Sequence, residues 1–412
     1  MDNEFNPLSL MFAITMNHES PIKSNMFSYQ DGVLLASNQV KCTGVRKCNF
    51  SPVFKAKSAS SICASCKLDR CFGNGHLKAA MWLKALGASV SHEAVDIAAG
   101  QGLLPIVKYL FKVGNVGCSV NAMTCAAQNG HAGVVQWLSE NSETGCIPGS
   151  AARPEFVGID VAALNGHLAV VKYLYFNRPE TFSSKAVDGA AANGHLDVVK
   201  FFHEHTDLKC TVQAMDKAAA NGHLDVVIWL HENRNEGCTK QAMNDAAANG
   251  HYDVVSWLHV HRQEGCTKSA MDSAAAGGHV YLVEWLHKHC SCGCSKKAMN
   301  MAAAGGHAEV LSFLHAETNQ GCTTQAMDLA AKNGHLKTVE WLHLNRSEGC
   351  TKAAMDSAAR NGDISMLKWL HKNRKEGYSQ CAKKWAQSRG HMEVVEFLHS
   401  LEQPMRKKGM LQ

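Results

Sequence analysis

A Gly-His dipeptide recurs along this 412-residue chain at a nearly constant interval, and this period constrains the fold more than any other feature of the sequence. From Gly166 to Gly390 every step is 28 residues. The earlier step from Gly130 to Gly166 is 36 residues and indicates a loop insertion near residues 147–154. The twelve aligned glycines, two of which lack the following histidine, are Gly75, Gly102, Gly130, Gly166, Gly194, Gly222, Gly250, Gly278, Gly306, Gly334, Gly362 and Gly390.

Each 28-residue unit predicts two short helices. In the unit around Gly250, Thr239 is expected to cap the first helix, because its hydroxyl can accept from an unpaired backbone N–H. Met243 and Ala247 lie on one apolar face of that helix, and Asn249-Gly250 ends it, since glycine tolerates the left-handed conformation. The Val-Val-x-Trp-Leu segment that follows predicts a second amphipathic helix. No unit can bury both faces alone, so the sequence predicts an all-α fold, an α-solenoid of about twelve stacked helix-turn-helix repeats.

The repeats divide the chain into three parts. Residues 58–404 form the predicted array, residues 1–57 are expected to be an irregular N-terminal arm or a degenerate cap, and residues 405–412 are a basic C-terminal tail. No apolar run reaches the roughly 18 residues that a transmembrane helix needs, and the N-terminus lacks the basic residues of a signal peptide. We therefore expect an intracellular protein of a reducing compartment, the cytoplasm or the nucleus, without a membrane partner.

The segment from Ala218 to Leu230, Ala-Ala-Ala-Asn-Gly-His-Leu-Asp-Val-Val-Ile-Trp-Leu, resembles the ankyrin repeat, whose pattern is a paired alanine, Gly-His and a Val-Val-x-x-Leu helix. The usual ankyrin period is about 33 residues, and the shorter period here is expected to omit the projecting β-turn between repeats. The resemblance implies an array without enzymatic activity or cofactor. It also implies a partner protein bound along the concave face, which the first helices and the inter-repeat turns build.

Positions on the first helix that vary between repeats are free to specify such a partner. They lie two residues after the cap and directly after a recurrent Asp or Asn. Met301 and Leu329 are apolar at these positions and are candidate interface anchors, although both residue types are also good helix formers. We expect a monomeric protein. The predicted partner-binding residues are Gln213, Lys217, Gln241, Asp245, Ser269, Ser273, Lys297, Met301, Gln325 and Leu329.

The 17 cysteines raise the question of metal or disulfide chemistry. Eight share one position of the repeat, and stacked repeats place equivalent atoms about 10 Å apart, too far for a disulfide. We interpret these eight as reduced apolar residues of the packing. A thiol-rich segment, Cys290 to Cys294, has His287 and His289 nearby, but no residue there is placed to activate a thiolate. The eight are Cys118, Cys146, Cys210, Cys238, Cys266, Cys294, Cys322 and Cys350.

The sharpest metal candidate is a zinc-type set made of Cys63, Cys66, Cys71 and His76. Its spacing is that of a zinc knuckle in which the last two ligand types are exchanged. The same residues also fit the first repeat, in which His76 is the ordinary Gly-His residue, and this structural interpretation is favoured.

Two histidine series and one acidic series also follow the period. The histidine after each glycine is expected to bond the next turn's backbone, and a second histidine, after each Trp-Leu pair, lies near a helix C-terminus, where a cation is favoured. The acidic series either lines the concave surface or bonds a neighbouring turn, and the second interpretation is preferred. Such ladders are not a catalytic constellation. The acidic series is Asp69, Asp96, Asp160, Asp188, Asp216, Asp272, Asp328 and Asp356, with Asn244 and Asn300 in phase.

The leading hypothesis is a non-enzymatic protein-interaction scaffold, and two alternatives stay open. A nucleic-acid-binding repeat protein would use scattered Lys and Arg residues, but the net charge of +5 is diffuse and the acidic series opposes it. A zinc- or thiol-dependent protein would be centred on the segment from Cys63 to His76.

Overall fold

The computed structural model describes two short strands near the N-terminus and residues 91–112, 117–142, 158–178 and 182–402. Outside the described residues lie the rest of the predicted arm 1–57, the first predicted repeat with Cys63, Cys66, Cys71 and His76, the insertion near residues 147–154, and the tail 405–412. The strands are β1 (Ser28–Gln30) and β2 (Val33–Leu35), which form an antiparallel pair.

Between residues 91 and 402 the structure describes 22 helices in eleven pairs, and this arrangement confirms the predicted α-solenoid. A turn that carries the Gly-His dipeptide or its equivalent joins the two helices of each pair. The first helices are α1 (His92–Gly100), α3 (Val120–Gln128), α5 (Gly158–Leu164), α7 (Ser184–Ala192), α9 (Val212–Ala220), α11 (Lys240–Ala248), α13 (Lys268–Ala276), α15 (Lys296–Gly305), α17 (Thr324–Lys332), α19 (Lys352–Asn361) and α21 (Gln380–Ser388). The second helices are α2 (Leu104–Lys112), α4 (Ala132–Asn141), α6 (Leu168–Asn177), α8 (Leu196–His205), α10 (Leu224–Asn233), α12 (Tyr252–His261), α14 (Val280–His289), α16 (Ala308–Glu317), α18 (Leu336–Asn345), α20 (Ile364–Asn373) and α22 (Met392–Glu402).

The predicted capping residues set the ends of the first helices. Thr239 precedes α11, and its Oγ1 accepts from the backbone N–H of Gln241 at 3.1 Å. Gly250 follows α11 with a φ of +80°. The N–H groups of Gly250 and His251 then donate to the carbonyls of Ala247 and Ala246. These two bonds form a Schellman motif, which needs a residue in the left-handed conformation, and glycine adopts that conformation without strain.

Small side chains decide how the repeats stack. The buried apolar residues of α11 are Met243 and three alanines, whereas those of α12 are Val254, Val255 and Leu258. The distance between packed helices depends on the side chains at the contact, so the alanine-rich first helices lie closest. Successive first helices contact one another along their length, while successive second helices touch at few points. The array therefore curves with the first helices on its inner side.

The C-terminal repeat closes the array with a more polar surface. Helix α21 buries only Ala382 and Ala386, and Lys384 on the same helix is exposed. A terminal repeat of a solenoid needs such a face, because no further repeat covers it. None of the described helices combines the length and apolar character needed to cross a membrane.

Candidate functional site

Each described member of the acidic series bonds the cap of the following repeat. Asp216 is only 2% exposed and accepts from the backbone N–H of Thr239 at 2.8 Å and from its Oγ1 at 2.7 Å. Asn300 does the same with Thr323: its Oδ1 accepts from the N–H at 2.9 Å, and its Nδ2 donates to Oγ1 at 2.9 Å. The preferred interpretation, a bond to a neighbouring turn, is confirmed for the described members. These side chains fix the start of the next first helix and are not available to a ligand.

The asparagine before the anchor glycine makes a second bond between repeats. Asn221 Nδ2 donates to the carbonyl oxygen of Ala192 at 2.7 Å, and so satisfies one of the carbonyls that the end of a helix leaves unpaired. Where glycine replaces the asparagine, at Gly305, His307 takes over this role. Its Nε2 lies 3.1 Å from the carbonyl oxygen of Ala276, which occupies the equivalent place in the preceding repeat.

The imidazole of each Gly-His pair packs on the glycine of the preceding repeat. A Cβ built on Gly222, where φ is +81°, would lie 2.6 Å from Nδ1 of His251, and the same contact recurs along the array. The ring fills the space that the missing side chain of the preceding glycine leaves. Two rings of this series, His167 and His307, also hydrogen-bond backbone carbonyls, but these belong to the preceding repeat and not to the next turn that the sequence predicted.

Four members of the second histidine series lie between an aromatic ring and an arginine of the following repeat: His203, His231, His315 and His343. The ring of His231 stands edge-on to Trp257 with the ring centroids 5.2 Å apart, and its Nδ1 lies 3.2 Å from Nη1 of Arg262. Arginine can only donate, so Nδ1 of His231 is the unprotonated acceptor. The cation near this helix end is therefore the arginine of the following repeat, which also pairs with Glu264 at 2.5 Å. Equivalent ion pairs join Arg234 to Glu236, Arg346 to Glu348 and Arg374 to Glu376.

The repeated cysteines mostly pack beside these ion pairs. Burial is the main cause that raises the pKa of Cys238 to about 11, and the carboxylate of Glu264 adds to it. Cys146 lies outside the described residues, and Cys118 and Cys266 are half-buried. The members that are buried, as interpreted from the sequence, are Cys210, Cys238, Cys294, Cys322 and Cys350.

One thiol contact escaped the sequence reasoning. The Sγ atoms of Cys266 and Cys292 lie 3.0 Å apart, although the two residues belong to different positions of the repeat. A comparison of the repeats contained the signal, because Cys290 and Cys292 stand where other repeats carry the Arg and Glu of the ion pair.

The thiol-rich segment does not form the metal site that its sequence suggested as a possibility. Among the described residues no group of three or more His, Cys, Asp or Glu side chains is arranged to hold a metal ion. His287 stands edge-on to Phe313, and His289 stacks on Trp285, so neither ring joins the cysteines.

The ten predicted partner-binding residues lie on α9, α11, α13, α15 and α17, two on each helix and one helical turn apart. Seven of them are exposed, and Asp245, Ser273 and Leu329 are half-buried. Met301 leaves 44% of its surface exposed. The structure therefore brings all ten together along one row of helices, on the inner side of the array.

This row carries an unexpected charge. Its carboxylates at Asp216, Asp272 and Asp328 each accept two bonds from the following repeat, and Asp245 accepts from Gln241 Nε2 at 2.6 Å. These five helices carry six exposed lysines against four carboxylates, of which Asp216 is buried, so their exposed face is basic on balance. Its exposed lysines are Lys217, Lys240, Lys268, Lys296, Lys297 and Lys332.

The comparisons with known proteins agree with the repeat architecture. Family models for ankyrin repeats match residues 187–272, 271–315 and 319–371. The crystal structure of the human ASB11 ankyrin repeat domain is similar at 18% sequence identity, with a TM-score of 0.34, and the match covers 41% of this chain and 83% of that chain. No curated protein matches the chain. The family-model matches fall on the Gly-His turns and stacked first helices described above, and the part of the chain from residue 187 to residue 371 therefore carries ankyrin repeats.

Proposed function

We propose that this chain is a non-enzymatic scaffold that binds a partner protein along the exposed face of its first helices. Ankyrin repeats are in general protein–protein interaction modules. One observation carries the proposal for this face. The recurrent Asp and Asn side chains are bonded between repeats, whereas ten residues that vary from repeat to repeat stay accessible on the first helices of five successive repeats. Side chains without a structural role are free to specify a partner.

The size of the face suits a protein partner. Five first helices at about 10 Å spacing extend over roughly 40 Å, and a standard interface buries about 800 Å² on each partner. Met301 on α15 and Leu329 on α17 are apolar residues on neighbouring helices of this row. Apolar anchors near the centre of a polar surface are typical of interface hot spots.

The lysines point to an acidic partner. Lys240, Lys268 and Lys296 each occupy the first position of a first helix and are exposed. A cation there faces the positive end of the helix dipole, which is unfavourable by roughly 0.3–1 kcal/mol. These lysines therefore do not serve helix stability, and a partner segment rich in Asp and Glu would gain from them.

Affinity capture with charge-reversed variants tests the proposed face. The face variant carries Lys217→Glu and Lys297→Glu. The matched control reverses two exposed lysines on second helices, Lys337→Glu and Lys372→Glu, which changes the net charge equally. Circular dichroism and thermal melts establish that both fold as the parent does.

We expect the parent and the control to capture the same protein from cell lysate, and the face variant to recover at least 10-fold less of it. Equal recovery by the parent and the face variant would place the binding site elsewhere. Captured nucleic acid, released steeply by salt and present with both the parent and the control, would instead support the nucleic-acid alternative and contradict the proposal.

A further inference from the structure

One interface in the middle of the array replaces the recurrent ion pair by two thiols. In the repeat that ends with α12, Arg262 and Glu264 form the ion pair next to Cys238 of the preceding repeat. Twenty-eight residues later, Cys290 and Cys292 occupy the positions of that Arg and Glu. The partner of these two thiols is Cys266, which corresponds to Cys238.

The structure places two of these thiols in contact. Cys266 Sγ lies 3.0 Å from Cys292 Sγ. Cys290 Sγ lies 3.9 Å from Nδ1 of His259, which is the contact that arginine makes in the other repeats. All three cysteines are half-buried and therefore within reach of small solutes, whereas Cys294 is buried.

The thiol contact also polarises the cluster. The hydrogen bond from Cys266 is the main cause that lowers the pKa of Cys292 to about 7, against the opposing effect of burial. Hydrogen bonds with Cys290 and Cys292 raise the pKa of Cys266. The pKa of Cys290 is also lowered, so the expectation that no residue there activates a thiolate is wrong. Cys292 is the thiol in contact with Cys266, and the thiolate is the nucleophilic form of cysteine.

We propose that Cys266 and Cys292 are a redox-active pair that forms a reversible disulfide across two neighbouring repeats, with a low-molecular-weight disulfide such as oxidised glutathione as the oxidant. This site is independent of what the first-helix face binds.

The exchange proceeds in two steps that balance. The Cys292 thiolate attacks one sulfur of the oxidant, a mixed disulfide forms, and one glutathione thiolate leaves. Cys266 then loses its proton, and its sulfur attacks the Cys292 sulfur and displaces the second glutathione thiolate. The two protein thiols lose two electrons, and the oxidant becomes two molecules of glutathione, which take up the two protons.

The geometry favours a disulfide over a bound metal ion. Two thiolates on one tetrahedral zinc ion lie about 3.8 Å apart, since each Zn–S bond is about 2.3 Å. The observed 3.0 Å between Cys266 Sγ and Cys292 Sγ is shorter than this zinc-bound spacing, so the two sulfurs lie closer together than two ligands of one zinc ion would. Among the described residues, neither this cluster nor any other group of three or more His, Cys, Asp or Glu side chains is arranged to hold a metal ion.

Differential alkylation of the full-length protein tests the proposal. The reduced protein is freed of reductant, exposed to oxidised glutathione, quenched with iodoacetamide and digested with trypsin. Cys266 then lies in the peptide of residues 263–268, and Cys292 in the peptide of residues 289–296. We expect these two peptides to be joined through Cys266 and Cys292 in at least 10-fold excess over any other linked pair, and dithiothreitol to reverse the link.

Three variants make the result specific. Cys266→Ser removes the link between the two peptides. Cys292→Ser, in which only Cys290 or Cys294 could link them, joins the peptides at least 10-fold more slowly. Cys294→Ser alters a buried thiol in the same tryptic peptide as Cys292. In this variant the rate at which the disulfide link forms stays within about twofold of the parent's rate. An unchanged rate in Cys292→Ser, or a dominant bond within the 289–296 peptide, would overturn the assignment. The proposal would also be overturned, in favour of a metal site, if one equivalent of Zn²⁺ stayed bound in native mass spectrometry and protected all three thiols from alkylation.

Discussion

Replacing Gly222 by alanine is expected to destabilise the array by about 2–5 kcal/mol, because the new methyl group meets the imidazole of His251. Two physical terms contribute. The φ of +81° at Gly222 lies in the left-handed region, where an L-residue costs about 1–2 kcal/mol. The Cβ would also lie 2.6 Å from Nδ1 and 2.7 Å from Cε1 of His251. The packed ring would have to move, and overpacking of this kind costs about 1–3 kcal/mol.

Gly334 provides a matched control within the same array. Its φ is +79°, but the following repeat carries Asp363 in place of the histidine, and the nearest atom to its built Cβ is Asp363 Oδ2 at 3.8 Å. Gly334→Ala therefore keeps the backbone term and lacks the steric one. We expect it to cost about 1–2 kcal/mol.

Urea unfolding of the two alanine variants and of the double variant Gly222→Ala/His251→Ala measures these terms. The double-mutant cycle should show that loss of His251 relieves part of the cost of Gly222→Ala, with a coupling of about 0.5–3 kcal/mol. Equal destabilisation by Gly222→Ala and Gly334→Ala, together with zero coupling to His251, would refute the steric argument and leave only the backbone conformation.

Two further substitutions report on bonds between repeats. Asp216→Ala removes a buried carboxylate that accepts two hydrogen bonds, and it should lower the free energy of unfolding, measured in urea, by about 2–4 kcal/mol. Asp216→Asn should cost clearly less, because Asn300 makes the equivalent bonds in its own repeat. Equal costs of the two substitutions would contradict the role given to these bonds. Burial alone would raise the pKa of Glu348, but hydrogen bonds from Arg346 and from backbone N–H groups lower it to about 2 from an ordinary 4.5. The stability that this carboxylate contributes is therefore present above about pH 4.5 and is lost as the pH falls to about 2. Glu348→Gln should flatten the pH dependence of stability between these two values. Urea unfolding at several acidic pH values measures this dependence.

Much of the local structure could be predicted from the sequence because its determinants are local. Thr239 as a cap, Gly250 as a helix end and the buried face of Met243 follow from helix geometry and propensity, and the structure confirms them. The preferred role of the Asp series was also predicted, because short Asp side chains commonly bond nearby backbone. The same reasoning failed for the Gly-His histidines, since their partner is a glycine of the preceding repeat.

The charge of the first-helix face could not be predicted from residue types alone. These five helices carry four carboxylates and six lysines in the sequence, and the recurrent acidic series by itself predicts a surface that opposes an anionic partner. In the structure Asp216 is bonded to the cap of the next repeat and buried, while Lys240 and Lys297 are exposed. Only the position of each side chain relative to the neighbouring repeat decides which charges reach solvent.

The sequence by itself determined the period, the two helices of each repeat, the need for the repeats to stack and the resemblance to the ankyrin repeat. It could do so because twelve copies of one pattern repeat the same local signal. The tertiary structure decided what each repeated side chain contacts, and it paired Cys266 with Cys292 from a different position of the neighbouring repeat. The physical reason is that a period fixes the distance between equivalent residues, whereas contacts between non-equivalent residues depend on how one repeat sits on the next.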